Sequence, residues 1–246
     1  MGHCLMMRKG KVHTAPVTGV LASSLAVGST VKLMEGGAAV DYLVVNQGIP
    51  SNSNLYDASC DGTWLLRKDI HSNREWNTSS SNIYESSTIN TWLNGDFFNS
   101  FGTAEQASIR QAIIPYLSGG GEGTIQSGAN GLSVRIFLLG IYELGLSSTS
   151  GARAPEDGAK LSYFESGTET SANNKRVAYL NGEAAIWWTR TQCTNKTGRT
   201  YNVFFIRSDG STGYLNATRS FGIRPALVLP SNALFDETTK LLKGVK

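Results

Sequence analysis

Short apolar runs rich in β-branched and aromatic residues recur along the chain, and long stretches of Ser, Thr, Asn and Gly separate them. Runs of this length, bounded by turn-forming residues, are typical of buried strands. The predicted strands are Thr30–Met34, Val40–Val45, Trp64–Ile70, Arg135–Leu144, Arg176–Leu180, Val203–Ile206 and Ala226–Leu229. Turns are predicted at Gly36-Gly37 and at Ser208-Asp209-Gly210, where the chain folds back on itself.

A helical pattern interrupts the strands after residue 85. Ile89, Trp92, Leu93 and Phe97 recur at spacings of three and four, which places them on one face of a helix. Ser86 or Ser87 supplies the N-cap of this helix.

A second helix is predicted to begin at Thr103, with Gln106 completing a capping box. Its apolar stripe is formed by Ile109, Ala112 and Ile113, and Pro115 ends it. With two helices among strands and long loops, the pattern predicts an α+β fold.

The segment from Ala184 to Pro230 has apolar ends around a polar middle. Trp187 and Trp188 open it, and because they are adjacent on a predicted strand they face opposite sides, one buried and the other beneath a binding face. The middle combines aromatic side chains with Asn, Thr and Ser. That mixture is typical of adaptable binding surfaces, since aromatics give contact area and small polar groups adapt their hydrogen bonds.

Composition and charge narrow the function. The 246 residues suffice for one large domain or two small ones, and we favour one domain. The net charge of +3 is small and spread out, which argues against nucleic acid as a partner. No segment is long and apolar enough for membrane insertion, and no block of basic residues indicates a membrane surface. The first residues faintly resemble a signal peptide, with a tail or assembly arm as the alternative.

The three cysteines, Cys4, Cys60 and Cys193, are too widely spaced for a disulfide framework or a metal cluster. A single bridge between Cys60 and Cys193 stays open beside the interpretation as unpaired thiols. We therefore expect no metal and no cofactor.

Catalytic groups are sparse as well. His3, His13 and His71 each stand alone among polar or terminal residues, and no nucleophile elbow or zinc-protease motif occurs. Paired carboxylates of a glycosidase would have to come from Glu165 with Glu169, or from Glu156 with Asp157. Glu-Pro-Asn and Gln-Pro-Asp triplets are absent, which removes the main reason to infer calcium-dependent sugar binding. The sequence predicts a protein that is not an enzyme.

Several blocks resemble one known family in their order. WWTR, VFFIRSDG and SFGIRPALVLP near the C-terminus, preceded by VGSTVKL, SSTINTWLNGDFF, IPY and RIFLLGIYELG, are similar to the variable proteins of diversity-generating retroelements in phages and gut bacteria. In that family, mutagenesis directed at adenines in Asn codons yields many residue types but not Lys, Glu, Gln, Met or Trp. None of these five types occurs from Thr197 to Phe221.

The resemblance implies a C-type-lectin-like fold of the formylglycine-generating-enzyme type, within the α+β class, over residues 28–230. Residues 1–27 then form a flexible tail or assembly arm, and residues 231–246 a C-terminal extension. Separately, the hydrogen-bonding chemistry of arginine predicts that Arg190 and Arg224 pin loops through carboxylates or backbone carbonyls rather than touch a ligand.

The implied function is recognition of a host-cell surface protein or glycan, at a virion or cell surface, through a diversified face. The expected ligand-binding residues are Thr194, Asn195, Thr197, Tyr201, Asn202, Ser211, Thr212, Tyr214, Leu215, Asn216, Thr218, Arg219 and Phe221. Tyr214 and Phe221 are the expected anchors. A structural virion protein and a hydrolase or oxidase on the same fold are the alternatives, and homo-oligomerisation stays open.

Overall fold

The computed structural model describes residues 18–147, 154–194 and 201–246, and it is mostly β, with 38% strand and 14% helix. The strands are β1 Val20–Leu21, β2 Thr30–Glu35, β3 Ala38–Gln47, β4 Thr63–Arg67, β5 Asn73–Glu75, β6 Ala112–Ile114, β7 Tyr116–Leu117, β8 Ile125–Gln126, β9 Leu132–Val134, β10 Ile136–Phe137, β11 Leu146–Ser147, β12 Gly167–Thr168, β13 Ala178–Leu180, β14 Glu183–Ala185, β15 Trp187–Gln192, β16 Asn202–Ile206, β17 Thr212–Asn216, β18 Ser220–Gly222, β19 Ala226–Leu229, β20 Ala233–Phe235 and β21 Leu242–Val245. The helices are α1 Thr88–Trp92, continued by a π-helix over Leu93–Phe97, α2 Thr103–Ser108, and the short 3-10 helices Ala22–Ser24, Ser53–Leu55, Ala58–Cys60, Gly120–Glu122 and Gly128–Asn130.

Two five-stranded sheets organise the molecule. The first has the order β10-β19-β4-β3-β2 and is antiparallel throughout. The second has the order β17-β16-β15-β18-β5, and its one parallel pair is β15 with β18. A three-stranded sheet, β1-β20-β21, and several two-stranded sheets complete the fold.

The prediction of an α+β, C-type-lectin-like fold with two helices is wrong, because in the described residues strands in many small sheets far outweigh helix, and only one helix is substantial. The error lies in the second predicted helix. α2 ends at Ser108, and Ile109 is already extended, with φ −65° and ψ 121°. Its N-cap is Gly102 rather than Thr103, and no side chain caps it.

The apolar stripe of that predicted helix belongs to a strand instead. Ala112–Ile114 pairs with β9, where Ile113 lies opposite Ser133. β-branched residues directly before a proline favour extended backbone, and this local preference outweighs the helical spacing.

The first predicted helix is confirmed: it begins at Thr88, and Ser87 is its N-cap. The Ser87 hydroxyl accepts a hydrogen bond from the Asn90 amide at 3.2 Å and donates one to the Tyr84 carbonyl at 2.8 Å. Ile89, Leu93 and Phe97 are buried, as the periodicity predicts.

Replacing Ser87 with Ala is expected to lower the free energy of unfolding by about 1 kcal/mol, because the helix loses the acceptor for an otherwise unbonded amide. Urea unfolding followed by circular dichroism measures this change. Ser86→Ala is the matched control, since Ser86 is exposed and does not cap the helix. Equal losses in the two variants would show that the cap contributes nothing specific.

Most predicted strands are confirmed within a residue or two, among them β2, β3, β16 and β19. Two differ by more: the strand predicted at Trp64–Ile70 ends at Arg67, and of Arg135–Leu144 only Ile136–Phe137 is strand. The remainder folds into a buried turn in which the Leu144 amide donates to the Gly140 carbonyl. This turn carries Glu143, whose charge requires partners that a central strand does not offer.

The central strands of the second sheet, β15 and β16, are buried on both faces. Trp187 packs in one hydrophobic cluster with Phe204 and Ile206, whereas Trp188 packs in the other with Val203 and Phe205. The two tryptophans therefore face opposite sides as predicted. Both are 0% exposed, so neither tryptophan is itself part of an exposed surface.

A buried ion network holds the turn of Glu143 against β15. Arg190 donates to both carboxylate oxygens of Glu143, to the Asp157 carbonyl at 2.7 Å and to the Leu138 carbonyl at 3.0 Å. Tyr56 donates to Glu143 at 3.0 Å. Burial raises the pKa of Asp157 to about 6. The predicted role of Arg190, pinning loops through carboxylates and carbonyls, is confirmed.

Arg224 is also a scaffold residue. Its Nε donates to the Arg67 carbonyl at 2.9 Å, and its guanidinium carbon lies 5.1 Å from the Trp187 ring centre. Burial lowers the pKa of Arg224 to about 10. This position confirms the prediction that Arg224 binds a carbonyl.

The segment predicted as an N-terminal tail and the segment predicted as a C-terminal extension contact each other. Val20 pairs with Phe235, and Ala22 is buried in the same cluster as Trp188. Both segments therefore contribute to the described fold from residue 18 to residue 246. Residues 1–17 of the predicted arm, and Cys4 with them, lie outside the described residues.

Cys60 and Cys193 are both buried thiols rather than the two ends of a bridge. Cys60 donates to the Ile113 carbonyl at 3.3 Å, and burial raises the pKa of its thiol to about 12. Among the described residues, no helix is long and apolar enough to cross a membrane.

Candidate ligand-binding face

The hairpin of β16 and β17 forms one edge of the second sheet. Its register pairs Asn202 with Asn216 and Phe204 with Tyr214. The predicted turn between the strands is confirmed: the Asp209 carboxylate accepts from the Ser211 amide at 2.9 Å and from its hydroxyl at 2.6 Å.

Glycine is required at the end of this turn. Gly210 has φ +81°, and a Cβ there would lie 2.1 Å from the Asn173 carbonyl oxygen. The turn is thereby packed against the loop that precedes β13, and the direction in which β17 leaves it is fixed.

Burial differs sharply between the two strands. β16 is buried along its whole length, whereas β17 is buried at Thr212 and Gly213 and becomes exposed toward Asn216. The prediction that Val203–Ile206 is core is confirmed. The edge strand therefore presents its second half to solvent while its partner anchors it.

The expected ligand-binding residues fall into three groups by exposure. Tyr201, Leu215 and Arg219 are exposed; Thr194, Tyr214, Asn216, Thr218 and Phe221 are half-buried; Asn202, Ser211 and Thr212 are buried. Asn195 and Thr197 lie outside the described residues. The structure therefore places three of the described residues below the surface, where the hairpin register and the turn require them.

The three exposed residues and two of the half-buried ones lie at one end of the hairpin, which we call the hairpin-end patch: Tyr201, Leu215, Asn216, Thr218 and Arg219. The Ala217 amide donates to the Tyr201 carbonyl at 2.9 Å, which joins the start of β16 to the turn after β17. Asn216 accepts from the Thr218 amide at 3.0 Å and from its hydroxyl at 3.2 Å. Backbone and side-chain hydrogen bonds thus fix the shape of the patch.

The two expected aromatic anchors have different surroundings. The Phe221 ring lies 4.8 Å from the Trp188 ring and 5.1 Å from the Phe205 ring, so it extends the core outward. The Tyr214 ring lies 5.8 Å from the Phe204 ring on the opposite face of the hairpin. A single ligand surface cannot centre on both side chains because strand alternation separates them.

Tyr214 instead lines a cleft of about 390 Å³ at the other end of β17. The cleft, called the Glu169 cleft below, is lined by Glu169, Thr170, Phe204, Arg207, Thr212, Gly213 and Tyr214. A backbone hydrogen bond of 2.8 Å from the Thr212 amide to the Glu169 carbonyl joins the loop to the strand.

Sequence reasoning missed Arg207 and Phe204 as lining residues, and it considered Glu169 only as one of a pair of carboxylates. The structure gives the members of both proposed pairs different surroundings. Glu165 is exposed and bound to Lys175 at 3.1 Å, whereas Glu169 is 9% exposed. Asp157 belongs to the Arg190 network. No sequence signal indicates that Glu169 lies beside β17. The two are separated by a long stretch of chain, and separation in sequence does not predict how a loop folds.

A larger cleft, of about 600 Å³, lies beside β3 and the β13-β14 hairpin. Two of its charged groups are already paired with residues outside the lining: Asp41 with Lys32 at 2.7 Å, and Arg67 with Glu35 at 3.1 Å. His71, which sequence analysis places among solvated residues, is half-buried there with its ring 5.1 Å from Phe97. Internal pairing makes this cleft a weaker candidate than the face formed by β16 and β17.

The described residues form a mostly β domain, and the hairpin of β16 and β17 lies at the edge of its second sheet. A protein-family model, described as a domain of unknown function, DUF6273, matches residues 61–231, which is more than half of the chain. The chain therefore belongs to the DUF6273 family. No curated protein and no solved structure matches it.

Proposed function

We propose that this protein binds a host-cell surface protein or glycan, without catalysis, through the face built on β16 and β17. The hairpin-end patch carries the proposal. Tyr201 is 40% exposed and Leu215 is 42% exposed, and Arg219 is an exposed cation beside them. Tyrosine and arginine are enriched among the residues that dominate binding energy at protein interfaces.

The position of the patch supports a recognition role. The strand beneath it, β16, is buried from end to end and anchors the hairpin in the core, so replacing the exposed side chains of the patch removes no buried side chain. Surface substitutions of this kind usually change stability by less than about 0.5 kcal/mol. A surface whose side chains can vary without unfolding the protein suits a diversified binding face.

The resemblance to variable proteins of diversity-generating retroelements supports the same proposal. It suggests a phage receptor-binding or virion-associated protein, at a virion or cell surface. A nearby reverse transcriptase gene with a template repeat that differs from codons 191–222 mainly at adenines is the expected genomic context. A repeat with differences spread over all four bases would count against diversification.

Changing Tyr201, Leu215 and Arg219 together to Ala is expected to weaken cell binding at least tenfold, because the variant removes the exposed contact area and its cation. Fluorescently labelled protein is titrated against a panel of gut bacterial isolates and read by flow cytometry. Tyr179→Ala is the control, since Tyr179 is 47% exposed but lies on the β13-β14 hairpin.

Two outcomes would contradict the proposal. If the natural protein binds none of the isolates and no other cell tested, a structural role is favoured instead. If the triple variant binds as tightly as the natural protein, the binding surface lies elsewhere.

A further inference from the structure

Glu169, one of the residues that line the cleft, has an unsatisfied acceptor. Glu169 is 9% exposed, and its buried Oε1 accepts no hydrogen bond from any group in residues 18–147, 154–194 or 201–246. A buried polar atom without a partner costs free energy. Because an ionised carboxylate only accepts hydrogen bonds, a ligand that satisfies Oε1 must carry an O–H or N–H group.

The charges around the cleft balance. Glu169 contributes one negative charge and Arg207 one positive charge, and the remaining lining residues are neutral. Arg207 donates through Nη1 to the Thr212 carbonyl, and the five guanidinium N–H groups leave further donors for a ligand. A cleft with an acceptor, a donor and no net charge favours a neutral ligand that both donates and accepts hydrogen bonds.

The half-buried Tyr214 ring supplies an apolar wall, and the buried Phe204 ring packs behind it. The Phe204 and Tyr214 rings meet edge to face at 5.8 Å, and both line the cleft. Binding sites of this size combine apolar surface with a few placed polar groups. A sugar ring matches this arrangement, because it has an apolar C–H surface and hydroxyl groups that donate and accept.

We propose that the Glu169 cleft binds a sugar ring of a glycan, with a sugar hydroxyl donating to Glu169, another accepting from Arg207, and the ring packed against Tyr214. This inference rests on the proposed recognition function and selects glycan rather than protein as the ligand. A lysine side chain of a protein partner would also satisfy Glu169, but Arg207 would repel it.

The direct test uses saturation-transfer NMR with the methyl glycosides of glucose, galactose, mannose and N-acetylglucosamine at millimolar concentration, in buffer containing EDTA. At least one glycoside is expected to receive saturation from the natural protein. Glu169→Gln is expected to weaken that binding at least tenfold, because the hydroxyl loses a charged acceptor. Glu183→Gln is the matched control, since Glu183 is exposed on the β13-β14 hairpin.

The stability of Glu169→Gln shows whether Glu169 serves ligand binding or the fold. Glu169 Oε1 lacks a partner within the described chain, so Glu169→Gln is expected to keep the melting midpoint within about 3 °C of the natural protein. Binding of none of the four glycosides, equal binding by Glu169→Gln, or a fall in the midpoint of about 10 °C would each overturn the inference.

Treated cells distinguish this inference from the proposed function. Periodate cleaves the vicinal diols of sugars, so it is expected to abolish binding to isolates that the protein recognises, whereas proteinase K is expected to leave binding intact. The reverse pattern would overturn the sugar site while cell recognition remains. Failure to bind untreated cells would reject the proposed function itself.

Discussion

Replacing Arg190 with Met is expected to lower the free energy of unfolding by about 3–5 kcal/mol. Glu143 is 0% exposed and receives two hydrogen bonds from Arg190, so the variant leaves a buried carboxylate without its cation. The carbonyls of Leu138 and Asp157 lose their donor as well. For a chain of this size, the loss corresponds to a fall of roughly 10 °C in the melting midpoint.

Differential scanning calorimetry measures the effect, with Arg219→Met as the control because Arg219 is exposed. Adding Glu143→Leu to Arg190→Met is expected to restore part of the loss, since it removes the unpaired charge. A change below about 1 kcal/mol in the single variant, or no recovery in the double variant, would show that the network does not hold the turn in place.

Truncating Trp188 to Ala is expected to cost about 3–5 kcal/mol, because the side chain is fully buried and leaves a large cavity. Its ring lies 4.8 Å from Phe221 and 6.0 Å from Phe205, so both neighbours lose packing. Chemical denaturation with fluorescence detection of the remaining tryptophans provides the measurement.

Leu215→Ala is the matched control for Trp188→Ala. Leu215 lies opposite Val203, on the same face of the second sheet, but it is 42% exposed. Its truncation is expected to change the free energy of unfolding by less than about 0.5 kcal/mol. Similar losses in the two variants would mean that the edge strand belongs to the core.

Local pattern was sufficient to predict the scaffold strands. β16 and β19 are short, continuous apolar runs, and each is buried from end to end. The first helix follows from its spacing and its Ser87 cap. In these segments the local conformational preference and the tertiary environment agree, so the sequence predicts both the type of each element and its position.

Tertiary contacts decided the rest. The residues after Ser108 carry helical spacing, but pairing of β6 with β9 holds them extended. The run through Leu139 and Ile141 is apolar enough for a strand, yet Glu143 and Arg190 impose a buried turn. Neither the pairing of β6 with β9 nor that of Glu143 with Arg190 can be predicted from the residues next to them in the sequence.

The candidate site was predicted in part. Sequence reasoning found the segment and its exposed residues, but it did not resolve how the hairpin register divides them between two faces. Tyr214 and Phe221 therefore do not act together as one anchor. The cleft is not predictable from the sequence, because a loop brings Glu169 to β17. The Thr212 backbone hydrogen bond holds that loop in place, and no periodicity in the sequence indicates it.

The central claim is that the binding face can change without unfolding the scaffold. The most direct test measures the free energy of unfolding of the variant with Ala at Tyr201, Leu215 and Arg219, together with its binding to cells. We predict a change below about 1 kcal/mol, since all three side chains are exposed. A loss of about 3 kcal/mol or more would contradict the account, because the face would then be part of what keeps the protein folded.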